Sequence, residues 1–435
     1  MSTTTSLATD VTAEEQSRVR RAVVASSVGN ALEWFDIIVY ASFAVVISKL
    51  FFPTQQGVTG LLLTFGTFAI SYLVRPVGAM VIGAYGDRAG RKQALSLTIF
   101  AMMLGTGIMA LAPTAASIGA WAGVVLLASR LLQGFSAGGE FGSSSSFLVE
   151  SAAPQRRAFA GSWQQVSVGA GALLASLMGF VLTSTLSDAA MQSWGWRIAF
   201  GVGGLLGLVG LWLRVSVEET QSFRDAHADG RTGRRNPLVG MLVEHPRAAL
   251  RVVGITIAGT LIYYVWISYM PGFAHTATGI PLREAFLANT IAVAYFLCLL
   301  PFVALLSDRY GRKPTLLAFA IGFVVIAYPA FLLIELGGFW PLLVVELVGV
   351  TFLAGYSANC AVVMAEQFPA EVRSTGIGLP YALAVALFGG TAPYITTWMS
   401  TNGFGGLVWL YVAAGALVGV VVYALMPETA GRELT

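Results

Sequence analysis

The stretch Gly83-Ala84-Tyr85-Gly86-Asp87-Arg88-Ala89-Gly90-Arg91-Lys92 is a compact charged turn between two long apolar runs, and it returns as Ala304-Leu305-Leu306-Ser307-Asp308-Arg309-Tyr310-Gly311-Arg312-Lys313. From Asp87 to Asp308 the offset is 221 positions (308 − 87). Each copy places a carboxylate and several cations where an apolar segment ends, with glycines that allow a tight backbone. A turn repeated in the same local setting marks an internal duplication. The chain therefore reads as two similar halves, each threaded through a membrane.

Composition agrees. The 435 residues are 56% hydrophobic and 11% charged, with a mean hydropathy of +0.74, whereas a soluble domain carries about 25% charged residues. Apolar runs of roughly 20 residues recur, each long enough to cross a hydrocarbon core about 30 Å thick. Helix is the spanning form they imply, because backbone amides in lipid must bond within their own segment. The net charge of +3 follows from where the cations lie and does not call for nucleic acid or another polyanion as partner. Met1 to Gln16, with Asp10, Glu14 and Glu15, lacks the basic start of a cleaved signal peptide, so the first helix is expected to stay.

An enzyme is not expected. Cys298 and Cys360 sit in apolar runs as packing thiols, and His227, His245 and His275 read as loop residues. Neither a metal site nor a histidine-based triad has enough parts, and no cofactor is implied. The serine run Ser143 to Ser146 reads as close helix packing.

Twelve helices are predicted, at 22–47, 58–84, 93–113, 118–147, 157–184 and 196–216, then 248–272, 285–306, 314–335, 340–366, 373–398 and 407–426. The fold class is an all-α membrane protein with an amino-terminal six-helix bundle over 1–216, a polar central loop over 217–247 and a carboxyl-terminal six-helix bundle over 248–435. One side of this arrangement collects 20 of the 25 cations, including Arg18, Arg20, Arg21, Arg156, Arg157 and Arg373, while the other receives Lys49, Arg197 and Arg283. The rich side is expected to be cytoplasmic, with both termini there.

The remaining two cations, Arg75 and Arg130, fall inside spans. A charge at mid-membrane costs about 2.5 to 3.5 kcal/mol on insertion scales and is tolerated mainly toward a protein interior or watery cavity. In the first helix Glu33, Asp36 and Tyr40 share a stripe at i, i+3, i+7. Desolvation there favours the protonated carboxyl, the property a proton carrier needs; the alternative is an ion pair of Asp36 with Arg75 or Arg130 that only fixes packing. The fourth helix repeats the pattern with Arg130, Gln133, Ala137 and Glu140. Arg130 and Arg75 are candidates for gripping a carboxylate through bidentate bonds, although Arg75 could instead brace the turn. Glu140, about 15 Å from Arg130 along the helix, reads as steadying the cytoplasmic turn. Gln164, Tyr264, Asn359 and Tyr381, with Tyr40, would shape a pocket between the halves. Trp266 and Tyr269 fit an interfacial aromatic belt, and Glu346, a turn or two inside the outer edge, is an outlying titrating candidate.

Laid out in this way, the chain resembles the major facilitator superfamily along nearly its whole length. The Gly-x-x-x-Asp-Arg-x-Gly-Arg-Lys turn matches its most specific signature, with Ala304 and Ser307 as departures in the second copy. Glu150, Pro154 and Arg157 are echoed by Glu366, Pro369 and Arg373, and Glu218-Glu219-Thr220 by Pro427-Glu428-Thr429. Within the superfamily, Gly29 to Asp36, Arg75-Pro76-Val77-Gly78, Arg130 to Glu140 and Trp194-Gly195-Trp196-Arg197 look like the metabolite/proton symporters, which carry citrate, 2-oxoglutarate, shikimate, proline or betaine.

The resemblance implies proton symport by rocking of two bundles around a central site in a bacterial-type inner membrane, by a chain acting as a monomer. It implies that Asp87, Arg88, Arg91, Asp308, Arg309 and Arg312 latch the cytoplasmic side, with Asp87 facing a helix N-terminus in the other half. Osmosensing relatives carry a long C-terminal extension, whereas this chain stops at Thr435, and Arg130 to Gly142 and Phe388 to Pro393 look closest to citrate-type members. The expected cargo is a small organic acid anion, a di- or tricarboxylate such as citrate, moved with protons; the alternatives are a zwitterionic osmolyte, drug efflux, or a receptor that moves nothing. The expected arrangement has Asp36 and Arg130 meeting in a wet cleft that faces the carboxyl-terminal bundle.

Overall fold

The computed structural model describes residues 30–53, 57–89, 91–137, 140–150, 152–215, 241, 243–370, 372–431 and 434. The side chains of Asp87, Arg88, Arg91 and Glu140, and most of the predicted central loop, lie outside the described residues. Among the described residues, twelve longer helical segments follow in the amino-to-carboxyl direction. The first half holds α1 (Asn30–Ser42 continued by Ala44–Phe51), α2 (Gly57–Ala89), α3 (Arg91–Leu111), α4 (Trp121–Ser136 continued by Glu140–Glu150), α5 (Arg157–Thr185) and α6 (Trp196–Val215). The second holds α7 (Pro246–Tyr263, Tyr264–Tyr269, Met270–Thr278), α8 (Leu282–Tyr310), α9 (Arg312–Glu335), α10 (Phe339–Ser357, Cys360–Ala365), α11 (Arg373–Ala384, Val385–Gly389, Ala392–Thr401) and α12 (Val408–Leu425).

Among the described residues nine of these are long and apolar enough to cross a membrane, and α1 makes a tenth when its two parts, bent by 64°, count as one span. The shorter apolar run Ser96–Leu111 of α3 and the two described parts of α4 complete the set. Predicted boundaries fall within a few residues of most of these. In α4, residues 138 and 139 lie outside the described residues. One element differs for a local reason. α7 runs on to Thr278 because its middle turn, Tyr264–Tyr269, is a wider π-turn, and the helix stops only where Gly279 adopts φ 73° and its N–H bonds the His275 carbonyl at 2.9 Å.

Glycines set how closely α2 and α4 approach. A Cβ on Gly134 would lie 2.0 Å from the Ser71 carbonyl oxygen, and one on Gly78 would lie 1.9 Å from that of Phe135. Those neighbours are backbone and cannot swing aside. Gly134→Ala is therefore expected to force the two helices apart at a cost of about 3 kcal/mol, read as a lowered thermal midpoint and a loss of monodisperse protein in size-exclusion chromatography.

The halves touch at both ends. At the end bearing the charged turns, Asp308 of α8 accepts hydrogen bonds from the Ala158 and Phe159 amides at the start of α5, both at 2.9 Å. Arg373 of α11 reaches Glu150 of α4 at 2.6 Å, and Gly142 packs on the backbone of Ser374 and Gly378. At the opposite end, Phe65 meets Tyr269, Phe43 meets Phe286, and the Ser176 hydroxyl donates to the Phe286 carbonyl at 3.1 Å.

Candidate functional site

Two voids flank α1. One, about 440 Å³ counting space open to solvent, lies between the halves and is lined by Asn30, Glu33 and Trp34 of α1, Arg75 of α2, Phe141 of α4 and Tyr381 of α11. The other, about 500 Å³ on the same count, lies inside the amino-terminal half, where Glu33 and Asp36 of α1 face Thr98, Met102 and Thr106 of α3 and the glycines Gly203 and Gly207 of α6. Glu33 lines both. Periodicity explains this double exposure. Three helical residues subtend 300°, so Glu33 and Asp36 point about 60° apart and straddle two faces of α1.

In the void between the halves, the Arg75 guanidinium stacks 3.8 Å over the Tyr72 ring, and its Nε has no hydrogen-bond partner among the described residues. The Tyr72 and Tyr264 hydroxyls bond to each other across the halves. Trp34 packs against Tyr263 and Tyr264 at 6.0 and 6.2 Å between ring centroids, and Phe141 stacks on Tyr381 at 3.7 Å. Glu33 and Arg75 line the same void. The result is a small chamber with one guanidinium, one carboxyl group and aromatic faces. These are groups of the kind that hold a carboxylate by charge-assisted bonds and an apolar or cationic moiety against rings.

Behind α1 a chain of polar contacts runs from helix to helix. Arg130 donates from Nη1 to Gln133 Oε1, and Gln133 Nε2 donates to Asp36 and, at 3.0 Å, to the Thr106 hydroxyl. The Arg130 guanidinium lies 4.1 Å over the Tyr40 ring, whose hydroxyl bonds Thr67 and the Thr64 carbonyl. Asp36 Oδ1 has no partner among the described residues. Asp36 and Arg130 are thus brought together through Gln133, inside the amino-terminal half. Here the structure departs from the expected central cleft, because α1 carries its carboxylates on two faces and only Glu33 turns toward the carboxyl-terminal half.

Other sequence candidates fall in three places. Tyr381 lines the void between the halves and Tyr264 closes it through Tyr72. Gln164 stands behind it, accepting from Ser144 at 3.1 Å while its main-chain carbonyl takes the Asn30 amide at 3.4 Å. Asn359 lines neither void. It sits at the break in α10, accepting from Ser307 and donating to Thr315 and the Gly355 carbonyl. The sequence reading missed Trp34, Tyr72 and Asn30. A signal was present: Trp34 follows Glu33, and Tyr72 precedes Arg75 by one helical turn.

The second charged turn is a buried network. Arg312 pairs with Asp308 at 2.7 Å and Glu366 at 3.2 Å, and the Arg312 and Lys313 amides donate to Glu428 at 2.9 and 3.0 Å. Gly311 has φ 107°, and a Cβ there would come within 2.6 Å of the Glu428 carboxylate. Burial pushes the Glu366 carboxyl above its ordinary range, offset only in part by Arg312 and Thr429. Partial burial raises Glu428 less than the amides of Ala430, Arg312, Lys313 and Thr429 lower it, so it lies below that range. Arg309 is exposed, its guanidinium 5.3 Å from the Tyr310 ring.

Against known proteins, the sugar (and other) transporter family matches residues 22–232 and again 226–435. The alpha-ketoglutarate permease of Escherichia coli K12 is 35% identical over 414 residues, covering 95% of this chain and 94% of the permease. The citrate-proton symporter of Klebsiella pneumoniae is 34% identical over 382 residues, covering 86% and 84%, and the proline/betaine transporter of E. coli K12 is 31% identical over 435 residues, covering 98% and 87%. Among solved structures, the partially occluded inward-open conformation of the E. coli xylose transporter XylE superposes with a TM-score of 0.76 at 18% identity, covering 96% of this chain and all of that one.

Proposed function

The chain belongs to the sugar (and other) transporter family, within the major facilitator superfamily, and from that premise we propose that it couples inward proton flow to uptake of a small organic acid anion by alternating access. It is a multi-pass membrane transporter of small organic substrates and not an enzyme. One observation supports the coupling most directly: Glu33 lines both the void that holds Arg75 and the void that holds Asp36. A proton on Asp36 and a cargo on Arg75 then communicate through one side chain. Arg75 takes the cargo carboxylate, Tyr381 and Trp34 shape the walls, and Arg130, held by Gln133, orders Asp36. The cation excess around the charged turns supports a cytoplasmic location for that end and for both termini in a bacterial inner membrane, and a single chain holds the whole site.

The cargo class follows from charge. With Arg75 the one guanidinium among the described lining residues, the chamber suits one carboxylate strongly and a second weakly, which favours a dicarboxylate such as 2-oxoglutarate over citrate. A zwitterion such as betaine is the second reading, favoured by Glu33 and the Trp34 and Tyr381 rings beside Arg75. Counterflow in proteoliposomes decides: labelled 2-oxoglutarate is expected to enter against unlabelled 2-oxoglutarate and to accumulate when the outside is acidified. Entry of betaine with exclusion of the organic acids reverses the assignment. Binding of either without accumulation under an imposed gradient removes the transport reading.

A further inference from the structure

Glu346 is the one charged residue of α10's longer segment, Phe339–Ser357, and it is fully buried. Three helices pack around it. From α8 the Asn289 side-chain amide points at Glu346 Oε1 at 3.5 Å and at the Ile267 carbonyl of α7 at 3.3 Å. In α7, Ile267 and Ser268 lie in the π-turn Tyr264–Tyr269, and the buried Ser268 hydroxyl, like Glu346 Oε2, has no partner among the described residues. Trp266 of the same turn donates its indole N–H to the Val345 carbonyl at 3.2 Å and packs on Gly349, where a Cβ would meet the indole nitrogen at 1.8 Å. From α9 the rings Phe323 and Phe331 pack against Trp266.

Among the described residues no cation faces this carboxyl. On α8 the nearest is Arg283, about 9 Å along the helix from Asn289, and Tyr295 turns outward to Thr351. On α7, Arg251 is about 24 Å from Ile267 along the axis, Tyr269 is spent on Thr397, and His275 on the Ile280 carbonyl. Glu335 is exposed at the end of α9. A carboxylate ionised here would be an uncompensated buried charge, costly enough that such a group takes up a proton instead.

The π-turn that packs beside Glu346 also carries residues that meet the amino-terminal half next to the chamber. Its Tyr264 bonds Tyr72 of the amino-terminal half, and its Tyr269 packs on Phe65. We propose that Glu346 is a second proton-binding carboxyl, in the carboxyl-terminal half, which holds its proton in this state and releases it to water when α7 moves at the π-turn. The step is a simple transfer: the carboxyl O–H breaks, water takes the proton, and the anion is left where water can reach it. This extends the transport reading but is tested without cargo, so each can fail alone.

The experiment is infrared difference spectroscopy of the full-length protein through a pH titration. A protonated-carboxyl carbonyl stretch is expected in the wild type, to shift in D₂O, and to be lost in part in Glu346→Gln. Asn289→Leu, which leaves Glu346 in place, should move the same component by removing its amide donor. A spectrum unchanged by Glu346→Gln, or a Glu346 component that appears only as ionised carboxylate near neutral pH, overturns the proposal. Should Glu346→Gln fail to fold, an Asn289→Leu spectrum identical to the wild type overturns it equally.

Discussion

Asp36→Asn is expected to reduce gradient-driven accumulation to the equilibrium distribution while cargo exchange persists. The amide has nearly the volume of the carboxyl and can accept from Gln133 Nε2 as Asp36 does. It keeps the helix contacts and imitates the protonated state permanently. A carrier fixed in that state can cross with cargo in either direction, but it no longer needs a proton to do so, and the two flows come apart. The wild type should show exchange that varies with pH, and the variant exchange that does not. Asp36→Ala is the contrasting control: it strips Arg130 of the nearby carboxylate in a buried site, a loss on the scale of about 3 to 5 kcal/mol, and should fail on stability first. Undiminished accumulation by Asp36→Asn under an acid-outside gradient would remove Asp36 from coupling and leave Glu33 as the remaining carboxyl on α1.

The repeated charged turn and the apolar runs made the twelve-helix fold legible, because lipid leaves the backbone so few choices. Side-chain stripes were less informative. A stripe shows which residues share a face, not which helix that face meets. Glu33 and Asp36 look like partners in sequence, yet α1 sends one toward Arg75 and Tyr381 and the other toward Thr106 and Gly203. Asn359 reads as a polar group available to cargo, and only the break in α10 shows its amide consumed by Ser307, Thr315 and Gly355. The aromatic chamber was hidden for another reason: Trp34 and Tyr72 are ordinary residues for a membrane helix, and what sets them apart is contact with Tyr263 and Tyr264 from 192 or more positions away (264 − 72). Duplication was visible where a motif repeated, whereas the contacts between the halves were not, because the two halves contribute unlike residues.

Arg75 supplies the sharpest test of where cargo sits. Its guanidinium sits 3.8 Å over the Tyr72 ring with Nε unmatched among the described residues, and the residue lines the void, where its fork would meet a planar carboxylate. Each hydrogen bond to a charged group contributes about 1.5 to 3 kcal/mol, so losing a bidentate grip in Arg75→Ala should weaken 2-oxoglutarate binding by about 100-fold or more. Arg75→Lys keeps the charge but not the fork, and is expected to fall between the two. Arg130→Ala should divide the other way. Arg130 stacks on Tyr40, bonds Gln133 and lines neither void, so its loss should lower the thermal midpoint and alter the pH dependence of exchange more than it lowers affinity. Isothermal binding of 2-oxoglutarate, with thermal midpoints measured alongside, separates the two arginines. If Arg130→Ala abolished binding in folded protein while Arg75→Ala left it intact, the cargo would belong behind α1, and the chamber between the halves would be only a seam.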